Sequence, residues 1–127
     1  MANGFLKGRK ILIVEDDLAS RLYLNKILEK TELVILNAGN GQEAIDMARN
    51  NPDIDLILMD LQLPVMDGYI SAKKIREFRK NVIIIAQTAY GLLGDKERIM
   101  ESGFDDYLIK PIFSQNLIEK LKSSLDM

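Results

Sequence analysis

The segment ILMDLQLPVMDG, residues 57–68, carries an apolar run that ends on a carboxylate, Asp60. Burying an unpaired carboxylate costs on the order of several kcal/mol unless it meets a partner, a cation or water. Pro64 and Gly68 follow, as in a loop. We therefore expect Asp60 either to lie at the mouth of the fold or to be compensated there by another group.

Three other apolar runs of this chain also lead into polar residues. They are followed by the acidic triplet Glu15, Asp16 and Asp17, by Thr88, and by Lys110 with Pro111. Carboxylates can hold a hard cation, whereas an ammonium and a hydroxyl suit phosphate oxygens. Chemistry that combines these groups requires a fold that brings the four segments to one place.

The apolar runs themselves are short and rich in Ile, Val and Leu, which is typical of strands buried on both faces. The predicted strands are residues 10–14, 33–37, 55–59, 82–86 and, with a weaker pattern, 107–109. Between them, apolar residues recur with helical spacing. These residues are Leu24, Ile27 and Leu28; Ala44, Met47 and Ala48; Ala72, Ile75 and Phe78; Leu117, Leu121 and Leu125; a further helix is predicted over about residues 92–102.

Strands that alternate with helices predict a parallel sheet covered by helices on both faces. Ligands bind such sheets beyond the carboxyl ends of the strands, where the strand order reverses. If the order is 2-1-3-4-5, the first and third strands are neighbours, and the acidic triplet meets Asp60 at one edge.

Several carboxylates so close together would repel one another, and a divalent cation would relieve the repulsion. Mg²⁺ fits a site with few protein oxygens and several waters. Lys110 and the Thr88 hydroxyl would add a positive charge and a donor for phosphate oxygens. The predicted edge is suited to a phosphoryl group beside a metal ion.

Each of these residues also has a purely structural interpretation. The acidic triplet could cap the helix that follows it. Asp60 could begin an Asx turn, Thr88 could be a turn hydroxyl, and Lys110 could be a surface lysine before a proline. The case for a site is that all four segments occur in order, each directly after a separate predicted strand.

Composition limits the remaining classes of function. The chain has 127 residues, 47% hydrophobic and 28% charged, which suits one domain with a substantial core. Its formal charge is −2 with 17 scattered Lys and Arg, so neither nucleic acid nor an anionic membrane surface is an expected partner. It has no Cys and no His, which excludes disulfides, thiolate metal sites and histidine acid–base catalysis. We expect a soluble cytoplasmic chain.

In these motifs the chain resembles the receiver domains of two-component response regulators, from about Lys10 to Leu125. The resemblance implies a flavodoxin-like fold, a doubly wound five-stranded parallel sheet in the order 2-1-3-4-5 flanked by five helices, as a single receiver domain over residues 1–127. It implies that Asp60 is the phosphoacceptor, Lys110 the phosphate-binding lysine, Thr88 the switch hydroxyl and Tyr107 the switch aromatic residue.

The metal of the family is Mg²⁺. The resemblance implies that it is held by Asp16, by Asp60 and by the backbone carbonyl of Gln62, with Glu15 acting through water. Because three acids stand together, two registers are open, and the match favours Glu15 and Asp16 as the pair, with Asp17 as the extra acid. A cis bond between Lys110 and Pro111 is implied too.

The implied function is that of a phosphoacceptor switch. Asp60 attacks the phosphorus of a phosphohistidine or a small acyl phosphate and forms an aspartyl phosphate. The donor histidine belongs to another protein, a histidine kinase or a histidine phosphotransfer protein. Phosphorylation biases the surface of helix 4, strand 5 and helix 5, where a downstream protein or a second copy binds. The chain is then not a turnover enzyme, and it loses the phosphoryl group by slow autodephosphorylation.

Two other functions use similar parts. An Mg²⁺-dependent phosphohydrolase with an aspartyl-phosphate intermediate places a second acid two residues after the nucleophile, where this chain has Gln62. A flavin-binding module needs a phosphate loop after the first strand, where this chain is acidic.

The resemblance also bears on origin and on phosphoryl lifetime. Three origins are open, a single-domain regulator, a phosphorelay intermediate and a piece of a hybrid sensor kinase. The segment LPVMDGYISAKKIRE, residues 63–77, resembles the receivers of hybrid kinases and favours the third. In the family, lifetime responds to the residues at Gln62 and Tyr90. We expect the ring of Tyr90 to shield the phosphoryl group from water more than Gln62 orients a water toward it. The alternative is that Tyr90 is exposed and either has no effect on lifetime or belongs to a partner-binding surface.

Overall fold

The computed structural model describes residues 6–89 and 95–126. Five strands pair in parallel in the order β2-β1-β3-β4-β5, as the sequence predicts. The strands are β1 (Lys10–Val14), β2 (Val34–Ala38), β3 (Leu56–Asp60), β4 (Ile83–Thr88) and β5 (Asp106–Ile109). The predicted sheet is confirmed, and β3 lies at its centre with Asp60 as its last residue.

Five helices connect or follow the strands in the described ranges. They are α1 (Leu18–Leu28), α2 (Gly41–Asn50), α3 (Gly68–Phe78), α4 (Asp95–Glu101) and α5 (Ser114–Leu125), and a short 3₁₀ helix, Glu29–Thr31, follows α1. Of the helix predicted over about residues 92–102, the structure describes the part from Asp95 onward. No helix in the described ranges is long and apolar enough to span a bilayer.

Two hydrophobic cores lie on the two faces of the sheet. One is formed with α1 and α5, whose buried residues are Leu24, Leu28, Leu117, Leu121 and Leu125. The other is formed with α2, α3 and α4, through Ala44, Ile45, Ala48, Ala72, Ile75 and Ile99. The alternation of apolar residues along each strand supplies both cores, because successive side chains point to opposite faces.

The expectation that every strand is buried on both faces is wrong for the two edges of the sheet. All five residues of β3 are buried, but Val34 and Asn37 of β2 and Ile109 of β5 are exposed. An edge strand has a sheet neighbour on one side alone, and the flanking helices cover its outer side incompletely. The apolar composition of these segments does not reveal which strands are edges.

Two arginines at the end of α3 hold the sheet together at the amino-terminal ends of its strands. Arg79 donates to the carbonyl oxygens of Ala48 at 3.1 Å and Ile54 at 2.6 Å, which joins α3 to the end of α2 and the start of β3. Arg76 donates to the carbonyl oxygen of Gly103 at 2.7 Å and to Asp105 at 3.0 Å, before β5. Hydrogen bonds to a charged group are worth roughly 1.5–3 kcal/mol.

At the opposite end, α3 begins in direct contact with the end of β3. Gly68 donates its N–H to the carbonyl oxygen of Leu61 at 3.0 Å. A Cβ at this position would lie 2.4 Å from the carbonyl oxygen of Asp60 and 2.8 Å from Cα of Leu61. Glycine is therefore required here by the close approach of the two backbones. This contact fixes the position of Asp60 relative to the start of α3.

We predict that Gly68→Ala lowers the free energy of unfolding by about 2 kcal/mol, since overpacking typically costs roughly 1–3 kcal/mol. Gly39→Ala is the matched control, because a Cβ there would meet Oε1 of Glu43 at an ordinary 3.5 Å. Urea unfolding of both variants measures the effect. Equal stabilities for the two variants would contradict the close contact at Gly68.

Candidate functional site

Asp60 is buried, with 4% of its surface exposed, and both carboxylate oxygens are engaged. Its Oδ1 accepts a hydrogen bond from the backbone N–H of Gln62 at 3.0 Å. Its Oδ2 accepts one from Nζ of Lys110 at 2.7 Å. The charge at the end of this buried strand is thus compensated by an ammonium group and an amide, and the carboxylate is fixed in orientation.

Lys110 reaches Asp60 from the loop after β5. Its backbone N–H donates to the carbonyl oxygen of Thr88 at 2.7 Å, and the predicted cis peptide bond to Pro111 is confirmed. Nζ also lies 3.7 Å from Oε1 of Glu15. Burial lowers the pKa of the Lys110 ammonium, but the hydrogen bond and charge of Asp60, with the charge of Glu15, outweigh burial and raise the pKa above its usual value. Lys110 is held as a cation between two acids.

The predicted acidic cluster forms. Carboxylate oxygens of Glu15, Asp16 and Asp60 lie within 4.8 Å of one another. Glu15 is 1% exposed, and its Oε1 has no hydrogen-bond partner among the residues that the structure describes. The pKa of Glu15 is raised to about 7, chiefly by burial and next by the charge of Asp60. One lysine does not balance three acids, so the donor set fits a hard divalent cation.

Asp17 stands outside this cluster and has a different role. It is the N-cap of α1, and its Oδ2 accepts a hydrogen bond from the backbone N–H of Ser20 at 2.8 Å. That hydrogen bond holds the pKa of Asp17 below its usual value. The structure thus confirms the expected use of Asp17 at the start of the first helix, and the clustered acids are Glu15 and Asp16.

A cavity of about 370 Å³ opens over Asp60 on the side away from the acidic pair. Thr88, which is buried at the end of β4, lines it together with Gln62 and Lys110. Tyr107 does not line this cavity. It lies half-buried in β5 opposite Ala86, packs against the core under α4, and borders a separate groove between α4, β5 and α5. Tyr90 lies outside the described residues.

Two residues that the sequence did not point to line the same cavity, Tyr69 of α3 and Arg98 of α4. The Cζ atom of Arg98 lies 3.8 Å from the centroid of the Tyr69 ring, a cation–π contact. Twenty-eight residues separate the two in the chain, and no periodic pattern links them. Only the packing of α3 beside α4 reveals that they close this side of the site.

A third unexpected residue is Gln87, in β4. It is 1% exposed, and its Cα pairs with that of Asp60 in the neighbouring strand. A signal was present in the sequence, because the amide interrupts an apolar strand directly before Thr88.

Comparisons with known proteins agree with this geometry. The family model of the response regulator receiver domain matches residues 11–122. The transcriptional regulatory protein SrrA of Staphylococcus aureus is 40% identical over 118 residues, which are 93% of this chain and 48% of SrrA. The chain thus spans about half the length of that curated relative.

Two solved structures have the same fold over most of both chains. One comes from the Saccharomyces cerevisiae complex of the histidine phosphotransfer protein Ypd1 with the receiver domain of the response regulator Ssk1. The matched chain is 36% identical with a TM-score of 0.87, and the match covers 92% of this chain and 88% of that one. The other is the receiver domain of the sensor histidine kinase PA1611 from Pseudomonas aeruginosa, with magnesium in its active-site cleft. It is 34% identical with a TM-score of 0.87, and the match covers 94% of this chain and 99% of that one. By its family match, its relatives and its fold, the chain belongs to the response regulator receiver domains.

Proposed function

We propose that Asp60 receives a phosphoryl group from a phosphohistidine of a partner protein and that the resulting aspartyl phosphate is the signal. The observation that carries this proposal is the position of Asp60, buried at the end of the central strand and hydrogen-bonded to Lys110 at 2.7 Å beside two further acids. A carboxylate is already ionised at neutral pH, so it can attack phosphorus without a general base.

The reaction exchanges one bond for another. An oxygen of Asp60 forms a bond to phosphorus while the bond from phosphorus to the donor nitrogen breaks, and its electron pair stays with the donor imidazole. Charge is spread over the phosphoryl oxygens in the loose transition state, so positioned cations and donors supply most of the catalysis. Lys110 is the cation already in place, and Thr88 lines the cavity as a donor.

The acidic cluster supports a Mg²⁺ site. We assign its ligands to Asp16, Asp60 and the backbone carbonyl of Gln62, with Glu15 acting through water. The clustering of three acids within 4.8 Å fits this assignment, as does Oε1 of Glu15, which lies 3.7 Å from Lys110 but accepts no hydrogen bond from the described residues. When bound, the ion neutralises the acids and stabilises negative charge on the phosphoryl oxygens. The magnesium in the cleft of the Pseudomonas receiver domain supports the assignment.

The donor histidine lies outside these 127 residues, since they contain no histidine. We propose a histidine kinase or a histidine phosphotransfer protein. The yeast complex between a phosphotransfer protein and a receiver domain gives a precedent for the second.

The output of the switch is assigned to the face formed by α4, β5 and α5. Phosphorylation adds about −1.5 to −2 charge units. The Thr88 hydroxyl then turns toward the phosphoryl group, and Tyr107 moves into the space that it leaves. Tyr107 borders an open groove of about 760 Å³ between α4, β5 and α5, where a downstream protein or a second copy would bind. Phosphorylation acts by shifting the population of two states of this face.

The test is transfer of a labelled phosphoryl group from a phosphohistidine protein, with Mg²⁺ and with a chelator. We expect one phosphoryl group per chain, dependence on Mg²⁺, and slow loss by autodephosphorylation. Repeated turnover on a phosphomonoester would instead favour the phosphohydrolase interpretation. Against that interpretation, Gln62 stands where a second acid would serve and contacts Asp60 through its backbone N–H.

A further inference from the structure

A small cavity of about 210 Å³ lies beside the acidic cluster, between α1 and the segment that precedes α5. Its wall is mostly apolar and includes Tyr23, Leu24, Ile112 and Phe113. Four polar residues also line it, Glu15, Ser20, Gln87 and Lys110, and Nζ of Lys110 forms an ion pair with Oε1 of Glu15 at 3.7 Å. In the described part of the chain, Oε1 of Glu15 and Nε2 of Gln87 are the two buried side-chain polar atoms without a hydrogen-bond partner.

The strand register explains why these two side chains share one cavity. Gln87 pairs with Asp60 on one side of β3. Val14 pairs with Met59 on the other side, so Glu15 follows level with Asp60. Strands lie about 4.8 Å apart, which places the Cα atoms of Glu15 and Gln87 about 10 Å apart, within reach of each other's long side chains through a bridge.

The two atoms are complementary. The amide nitrogen of Gln87 can only donate a hydrogen bond, whereas the carboxylate oxygen of Glu15 accepts one. Water can accept from the first and donate to the second. Buried waters typically serve otherwise unsatisfied polar groups.

We propose that water bound in this cavity accepts a hydrogen bond from Nε2 of Gln87 and donates one to Oε1 of Glu15, so that Gln87 is a positioning residue for the acidic cluster. The inference rests on the proposed function, since it assumes that Glu15 serves a metal site. Oε2 of Glu15 accepts a hydrogen bond from the N–H of Asp17 at 3.3 Å. The bridge engages the other oxygen and thereby fixes the carboxylate plane. Partners that orient ligand groups in this way typically govern metal affinity by about 10–100-fold.

The test is Gln87→Met, which keeps the length of the side chain and removes its amide. We expect Mg²⁺ affinity, measured by calorimetry, to fall about tenfold. Gln42→Met is the matched control, since Gln42 lies on α2 and bonds Asp46 at the exposed surface. The control should bind Mg²⁺ as the unaltered protein does.

Thermal unfolding without Mg²⁺ distinguishes a Gln87 amide that hydrogen-bonds to the bridging water from one that has no hydrogen-bond partner. Replacing an unsatisfied buried amide by an apolar group of the same shape should stabilise the protein. A stabilised Gln87→Met variant with unchanged Mg²⁺ affinity would therefore overturn the inference.

The unaltered protein provides an independent readout. Nuclear magnetic resonance should show magnetisation transfer between the Gln87 side-chain amide protons and a long-lived bound water, and absence of that transfer would overturn the bridge. If the unaltered protein binds no Mg²⁺, the proposed function itself fails, and this inference fails with it. If the unaltered protein and Gln87→Met bind Mg²⁺ equally, only this inference is lost.

Discussion

Asp60→Asn should abolish phosphorylation of the protein by a small acyl phosphate or by a phosphohistidine donor. The amide keeps the shape of the side chain but is a very poor nucleophile and carries no charge for Lys110 or a metal ion. Asp60 is the acid that ends a buried strand with Lys110 at 2.7 Å. Intact mass after incubation with the donor and Mg²⁺ should show one added phosphoryl group on the unaltered chain and none on the variant.

Asp67→Asn is the matched control for this experiment. Asp67 lines the same cavity, and it caps α3 by accepting a hydrogen bond from the N–H of Ile70 at 2.9 Å. Asn is an equally good N-cap, so this variant loses a charge and keeps its fold. It should be phosphorylated like the unaltered protein. Undiminished labelling of Asp60→Asn, or loss of labelling in the control alone, would show that the acceptor is misassigned.

The double substitution Glu15→Gln and Asp16→Asn should weaken Mg²⁺ binding by more than about 100-fold. It removes two of the three clustered carboxylates while keeping the size of each side chain. Charge count largely sets the affinity of such oxygen sites for divalent cations. Calorimetric titration of Mg²⁺ measures the loss, and phosphorylation at a fixed low Mg²⁺ concentration should fall in parallel.

Asp17→Asn distinguishes the two registers of the acidic triplet. Asp17 caps α1, and Asn preserves that cap, so Mg²⁺ affinity should change by no more than about twofold. Equal losses for this variant and for the double variant would mean that the acidic pair is misassigned by one residue.

The double variant should also be more stable than the unaltered protein without Mg²⁺. It removes the buried carboxylate of Glu15, whose pKa is raised by burial and by the charge of Asp60.

Most of the candidate site could be predicted from the sequence, because its polar residues lie at or just after the ends of separate apolar strands. In a parallel sheet all strands point the same way, so their carboxyl ends meet without any knowledge of tertiary contacts. The predicted first strand, residues 10–14, matches β1 residue for residue. The predicted helical apolar positions are likewise found in the two cores, for example Leu117, Leu121 and Leu125.

What the sequence did not reveal depends on neighbours that are distant in the chain. The contact of Arg98 with Tyr69 exists because α3 packs beside α4, and no spacing along the chain encodes it. The exposure of Val34 follows from the position of β2 at an edge, although its segment is as apolar as a central strand. The polar pair Glu15 and Gln87 required the strand register, because a single strand does not show which residues flank Asp60.

The guanidinium groups of Arg76 and Arg79 stabilise the end of the sheet opposite to the one where Asp60 lies. They tie helix ends and loops together at the end of the sheet that does no chemistry, through carbonyl oxygens before β3 and β5. Local opening of the backbone should therefore be rarest there, because it would break several charge-assisted hydrogen bonds at once. Residues at the opposite edge, where Asp60 lies, can then be substituted while the population of unfolded chains stays low.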